Sequence, residues 1–313
     1  MKLAQLATGL ALAACSTPLW AADTIIDIAG HPVPVTASGL YDRYRSNPPL
    51  AVIAAEAPGI DLSWFKTLPK ARAGGMGFAS YSPNFYYKNS RITAVFTADL
   101  ARLRELMPEA VRNVVQPLQV WPGRGLVALT AYAYEYCDND SYNEFALSII
   151  TSKPGASNLG PLTLAGQSMS KQFWGYVLKL PVNTELARVR GVVGYNLPKW
   201  LTSIERSETA QAVTYRIGGE LTIEAKKLPG LSSEVELVTN SFTNLDRQGR
   251  LTTGYAISRQ LRHANSSAAD AVKLGLGDGN LSAYIKSLKL GRLLRYEYVP
   301  EFQAALYAPT LLP

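Results

Sequence analysis

Apolar and polar residues alternate along several short stretches of the chain. Ile92 to Phe96 and Leu126 to Tyr136 read as strands, because apolar positions recur every second residue and β-branched and aromatic types are frequent. Phe145 to Thr151 and Phe173 to Leu180 follow in the same manner, the second ended by Pro181. Val189 to Tyr195 is valine-rich and punctuated by glycine, which predicts another strand. Val213 to Ile217, Glu220 to Ala225 and Leu237 to Phe242 complete the set, and Asp246-Arg247-Gln248-Gly249 predicts a hairpin turn. One segment changes period. Leu100, Leu103, Leu106 and Met107 share a helical face, with Thr97 or Asp99 placed to cap the helix and Pro108 to end it. Residues 23–90 are rich in Pro, Gly, Ser and Tyr and predict an irregular segment. Many short strands and few helices predict a barrel or sandwich-like α+β domain, mainly β.

The start of the chain breaks this pattern. Lys2 precedes an apolar run from Leu3 to Ala14, interrupted only by Gln5, Thr8 and Gly9, and Ser16, Thr17 and Pro18 follow it. That order predicts a secretory signal over residues 1–22, and the run is shorter than the roughly 20 apolar residues that span a bilayer. Two processing sites compete. Leu12-Ala13-Ala14-Cys15 has the small-small-Cys form that bacterial lipoproteins present for acylation, giving a signal of 1–14 and a lipidated Cys15. Trp20-Ala21-Ala22 offers plain cleavage before Asp23. Both readings predict export, to the periplasm of a bacterium or to its outer membrane as a lipoprotein. Membrane contact is expected only through that N-terminal lipid, since no later stretch reads as a membrane helix. About 290 residues remain, enough for one large or two small domains.

Composition narrows the chemistry. The formal charge of +7 falls to +6 without Lys2, and Lys and Arg are scattered rather than clustered, which argues against a nucleic-acid partner. A mild positive field favours an anionic small molecule. Beyond the signal only Cys137 remains, so no intrachain disulfide forms, and a buried, inert thiol is expected. Two histidines, His31 and His263, exclude a histidine-rich metal site, and no metal is expected. Gly275-Leu276-Gly277-Asp278-Gly279 lacks the Lys-Ser/Thr of a phosphate loop and reads as a turn. Asp138-Asn139-Asp140-Ser141 reads as a solvated turn.

The stretch from Ala187 to Leu201 carries the most specific signal. Ala187, Gly191, Pro198 and Lys199 fall at the spacing Ala-x-x-x-Gly, seven further residues, Lys, with the lysine preceded by proline. Upstream, Val95 to Arg104 leads into Met107-Pro108-Glu109, and Tyr142-Asn143-Glu144 stands between. In this order the three landmarks resemble the acetoacetate decarboxylase family, over about residues 92–205. The resemblance implies a closed β-barrel with a flanking sheet and few short helices over residues 91–313, and a homo-oligomer. It implies Lys199 as the Schiff-base nucleophile and Glu144 as a substrate-facing carboxylate. It also implies a small keto acid or related carbonyl compound as ligand, with no cofactor, since the lysine imine is itself the electron sink. Three departures stand out. Trp200 replaces a second lysine, Thr97 falls where the family has a substrate-binding arginine, and no acidic residue is found near Val127 to Thr130.

A β-keto acid loses carbon dioxide readily once its ketone is a protonated imine. A neutral primary amine must form that imine, whereas free lysine, with a pKa of about 10.4, is charged at neutral pH. Desolvation or a nearby cation supplies the neutral form. Leu197, Pro198, Trp200 and Leu201 make an apolar setting for Lys199, and Arg188 and Arg190 offer positive potential. Glu144 is placed to shuttle protons. Tyr142, Tyr195, Trp200 and Arg190 are the expected substrate-binding residues. The leading expectation is therefore a decarboxylase-type Schiff-base lyase. An exported, non-catalytic binding protein for a small or lipid-like ligand is one alternative, and a Schiff-base aldolase-dehydratase is another.

Overall fold

The computed structural model describes residues 23–312. The signal and Cys15 lie outside the described residues. The segment after them is more regular than its composition predicts. Strands β1 (Asp23–Ile28) and β2 (His31–Thr36) form a hairpin, followed by short helices α1 (Leu40–Tyr44) and α2 (Leu50–Glu56) and a small hairpin of β3 (Ala71–Ala73) and β4 (Ser80–Ser82). The first turn is Ala29-Gly30, both left-handed with φ of 54° and 83°, as a type I′ turn requires. Alanine seldom adopts that conformation, so the usual Asn-Gly signal is missing from the sequence.

Strands β5 (Asn84–Asp99), β6 (Arg124–Cys137), β7 (Tyr142–Ile150) and β8 (Gln172–Lys179) supply one side of a closed seven-stranded barrel. Between them lie α3 (Leu100–Glu105), α4 (Glu109–Arg112) and α5 (Pro161–Ser170). Helix α6 (Glu185–Tyr195) and strands β9 (Ile204–Glu208), β10 (Ala212–Ile217) and β11 (Leu221–Lys226) come next. The barrel resumes with β12 (Glu236–Leu245) and β13 (Leu251–Ser266), joined at the Asp246 turn, whose carboxylate accepts from the Gln248 and Arg250 amides. Strand β14 (Val272–Leu276) and helix α7 (Asn280–Ser287) precede the last strand, β15 (Leu293–Leu311). The barrel order is β12-β13-β15-β5-β6-β7-β8, and it closes through the parallel pair β8 and β12. The fold is thus mainly β, with a flanking four-stranded sheet ordered β14-β11-β10-β9.

Alternation decides what each face of the barrel does. On β5, Ile92, Ala94 and Phe96 point outward and join Tyr215, Ile217 and Ile223 of the flanking sheet in the main core. Arg91, Thr93 and Val95 point inward and line a cavity. Asp99 caps α3 by accepting from the Arg102 amide at 3.1 Å.

Three expectations are corrected. Val189 to Tyr195 belongs to helix α6, because Leu186, Val189 and Val193 recur at helical spacing and pack on Val33 and Val35 of β2, overriding the valines' β-preference. Gly275 and Leu276 close β14, and only the residues after them turn. Beyond that turn the Glu220 carboxylate accepts from the Leu281 and Ser282 amides at the start of α7, where an anion would otherwise sit. Asp138 is not solvated but fully buried, because Lys70, the Phe85 amide and the Tyr87 hydroxyl replace water around its carboxylate. Cys137 is buried as expected, and burial pushes its thiol well above the ordinary range.

Candidate active site

Helix α6 ends at Asn196, whose left-handed backbone (φ 49°, ψ 37°) turns the chain back toward the barrel. The carbonyls of Tyr195 and Asn196 accept from the Asn244 side-chain amide at 3.1 and 2.8 Å, which fixes the exit. The chain then runs beside residues 180–182. The Leu180 amide donates to Pro198 at 3.2 Å, and the Val182 amide donates to Trp200 at 3.0 Å. Val182 in turn bridges Glu144 on β7. Backbone hydrogen bonding therefore brings Lys199 beside Glu144, although 55 residues separate them in sequence.

The two side chains meet. Lys199 Nζ lies 2.5 Å from Glu144 Oε2, and their side chains are only 8% and 9% exposed. The lysine stem crosses α6 at Gly191, where a β-carbon would lie 2.5 Å from Lys199 Cε and closer still to Cδ. The landmark glycine thus makes room for the landmark lysine. Tyr142 lies below the amine, with Nζ 5.8 Å from its ring centre. Its hydroxyl shares a hydrogen bond with that of Tyr86 at 3.1 Å, and the Tyr134 hydroxyl donates to Glu144 Oε1 at 3.4 Å. Burial pushes the phenols of Tyr86, Tyr132, Tyr134 and Tyr142 upward, so they stay neutral hydrogen-bonding groups.

These residues end a cavity of about 450 Å3 inside the barrel, within the size range of small-molecule sites. Its walls are mostly apolar. Registry places Arg91, Tyr132 and Glu144 directly across from one another on β5, β6 and β7. Arg91 is 5% exposed, stands against Glu297 at 3.3 Å, and its Nε is buried without a partner. Glu297 also accepts from Arg295 at 2.7 Å. Burial acts to raise the Glu297 carboxyl, but Arg91 and Arg295 outweigh it and hold the group below its ordinary range. Counted together, Lys199, Arg91 and Arg295 against Glu144 and Glu297 leave one positive charge, which suits a monoanion.

A pH dependence follows. With its native pKa depressed, Glu297 binds fewer protons in the folded than in the unfolded chain between that value and about 4.3. Its stabilisation is complete above about 4.3 and is lost as pH falls through the native value. In urea unfolding, wild type and Glu297→Gln are expected to differ at neutral pH and to converge in acid.

Three of the expected substrate-binding residues lie outside this cavity. Arg190 is buried on the other face of α6, where it donates to Tyr41 (3.2 Å), Ser46, Ser80 (3.1 Å) and Asn84 (2.9 Å), tying the N-terminal segment to the barrel. The helical step of about 100° from Gly191 turns it away from the lysine. The Tyr195 hydroxyl accepts from the Asn84 side-chain amide at 3.4 Å on that same side. Trp200 packs against the main core, because successive residues of an extended segment face opposite ways and Lys199 takes the inward direction. Conversely, Arg91 was missing from the expected set. It shares an inward-facing parity with Thr97, six residues along β5, but Thr97 sits at the barrel end, bonded to Arg124 and the Arg292 amide. Among the described residues, no three His, Cys, Asp or Glu side chains cluster to hold a metal.

No protein-family model matches the chain, and no curated protein sequence does. Solved structures do match. An acetoacetate decarboxylase from Legionella pneumophila is 10% identical with a TM-score of 0.54, over 74% of this chain and 87% of that one. The enduracididine biosynthesis enzyme MppR is 13% identical with a TM-score of 0.51, over 74% of this chain and 88% of that one.

Proposed function

From the premise of an acetoacetate decarboxylase fold, we propose that the chain is a Schiff-base enzyme acting on an anionic keto acid or related carbonyl compound. The observation that carries this reading is the enclosed pair: a lysine amine 2.5 Å from a carboxylate, both buried, at the end of a largely apolar cavity.

Glu144 takes a proton from the Lys199 ammonium, and the neutral amine adds to the ketone carbon. Glu144 then protonates the carbinolamine hydroxyl, water leaves, and a protonated imine remains. Arg91, with its unpartnered Nε, holds the substrate carboxylate across Tyr132 from the lysine. The electrons of the bond to the carboxylate pass into the imine as carbon dioxide departs. Protonation of the resulting enamine carbon and hydrolysis by water release the ketone and restore the amine. A Schiff-base aldolase-dehydratase would use the same imine without losing carbon dioxide. Export belongs to the same proposal, and the mass of the mature N-terminus separates cleavage before Cys15 from cleavage before Asp23.

Borohydride trapping with a panel of keto acids, read by mass spectrometry, tests the reading. A reduced adduct on Lys199 is expected from wild type and none from Lys199→Ala. An adduct lacking the carboxyl marks a decarboxylase, and one retaining it marks the other imine chemistry. Glu144→Gln should slow adduct formation by about 10²–10⁴-fold, the usual share of general acid–base catalysis. No adduct from any carbonyl compound would leave a non-catalytic binding protein.

A further inference from the structure

The cavity does not stop at the charged groups. Inward positions of β7 run from Glu144 through Ala146 and Ser148 to Ile150, about 20 Å of strand at ~3.3 Å per residue. The walls beside them are kept open by small side chains: Ala128 and Thr130 on β6 and Gly175 on β8. Barrels of about eight strands are usually just wide enough for inward side chains to fill them, so small residues at successive levels leave a tunnel. Phe173, Trp174 and Leu164, the last on α5, line the far end.

Helix α5 is lightly held. Its one buried residue is Gln167, which donates to the Thr151 carbonyl at 2.8 Å and accepts from the Trp174 amide at 3.4 Å. Leu162 and Met169 are exposed on the same helix, at 72% and 85%. A helix without charged residues, on one polar anchor at the end of an apolar tunnel, is suited to admitting an apolar chain.

We infer that the substrate is amphiphilic: a keto acid whose carbonyl and carboxylate sit between Lys199 and Arg91, and whose unbranched apolar tail runs along β6, β7 and β8 toward α5. A four-carbon keto acid would leave that tunnel empty. The inference rests on the imine reading for the headgroup and on the tunnel alone for the tail.

The test uses the full mature chain and a series of β-oxo acids from acetoacetate to β-oxododecanoate, competed in pairs for borohydride trapping. Adduct yield should rise about fourfold per added methylene until the tunnel is filled, the equivalent of ~0.8 kcal/mol for each methylene buried. In Ser148→Phe, which plugs the tunnel four residues beyond Glu144, the preference for long chains should disappear, so that in paired competition long and short acids are trapped in equal yield. Ser148→Leu gives a milder plug should the phenylalanine impair folding. A flat or falling yield with chain length in wild type overturns the tail and leaves the imine reading standing. If no acid is trapped at all, the imine reading falls and the tail is judged by a fluorescent fatty acid. Displacement by decanoate that Ser148→Phe abolishes supports the tail, and absence of binding overturns it.

Discussion

Gly191→Ala is expected to lower trapping at Lys199 by about 10²-fold in a protein that still folds, the gain in helix propensity working against the loss of the buried Lys199–Glu144 contact. The position lies inside α6, without a positive φ, so alanine fits the backbone. On helix propensity alone the change is favourable by about 0.8–1 kcal/mol. The new β-carbon, however, would lie 2.5 Å from Lys199 Cε, and the lysine stem is the part free to move. It cannot move without withdrawing Nζ from Glu144, now 2.5 Å away. A displacement of about 1 Å at reacting atoms is enough to cost ~10²-fold. Gly194→Ala supplies the contrast on the same helix. Its β-carbon would meet Met76 Cε at 2.5 Å, not the lysine, so trapping should persist whatever happens to stability. Parallel measurement of urea midpoint and adduct yield separates the two effects. Loss of trapping in both variants, or in neither, would refute the packing role of Gly191.

This glycine also shows what the sequence could convey. Spacing alone made Ala187, Gly191, Pro198 and Lys199 a recognisable set, and the ordered landmarks brought Glu144 with them. Their physical link, a lysine stem laid across a helix, was invisible because the valines around Gly191 favour a strand, and only packing on β2 decides for a helix. Arg91 illustrates a second limit. Alternation along β5 separates Ile92, Ala94 and Phe96 from Arg91, Thr93 and Val95, but such a pattern ordinarily places the polar face in solvent. Here the polar face lines a closed barrel and the apolar face meets a flanking sheet, so both are buried. Closure is a property of seven strands together, the last of which begins some 200 residues after Arg91. Arg190 failed in the opposite sense. Adjacent in sequence to the lysine's glycine, it is turned by one helical step toward the N-terminal segment.

The largest effect on stability is expected at Asp138. Its carboxylate accepts from Lys70 Nζ and the Phe85 amide, both at 2.6 Å, and from the Tyr87 hydroxyl at 2.8 Å, with no exposure to solvent. Burial pushes the Asp138 carboxyl up and the Lys70 amine down, with each partner's charge acting against the shift. Asp138→Ala strands three donors at once, one of them a buried ammonium. Removing one partner of a buried ion pair costs about 3–5 kcal/mol, and the orphaned amide and hydroxyl push the loss toward the upper end. Lys70→Met should cost less, since the carboxylate keeps two donors and can take up a proton. The sign of its pH dependence is fixed. With the native pKa raised above about 3.9, the folded chain binds more protons than the unfolded one in that window. Stability therefore falls as pH rises through it, and more steeply in Lys70→Met, where no ammonium opposes the shift. The double variant Lys70→Met/Asp138→Leu removes both charges but leaves the Phe85 amide and Tyr87 hydroxyl unpaired, so it recovers only part of the loss. Adding Tyr87→Phe should recover more. Urea titrations of the four variants from pH 4 to 8 decide the matter: equal losses for Asp138→Ala and Lys70→Met would mean that the ion pair, not the three-donor carboxylate, holds this end of the barrel.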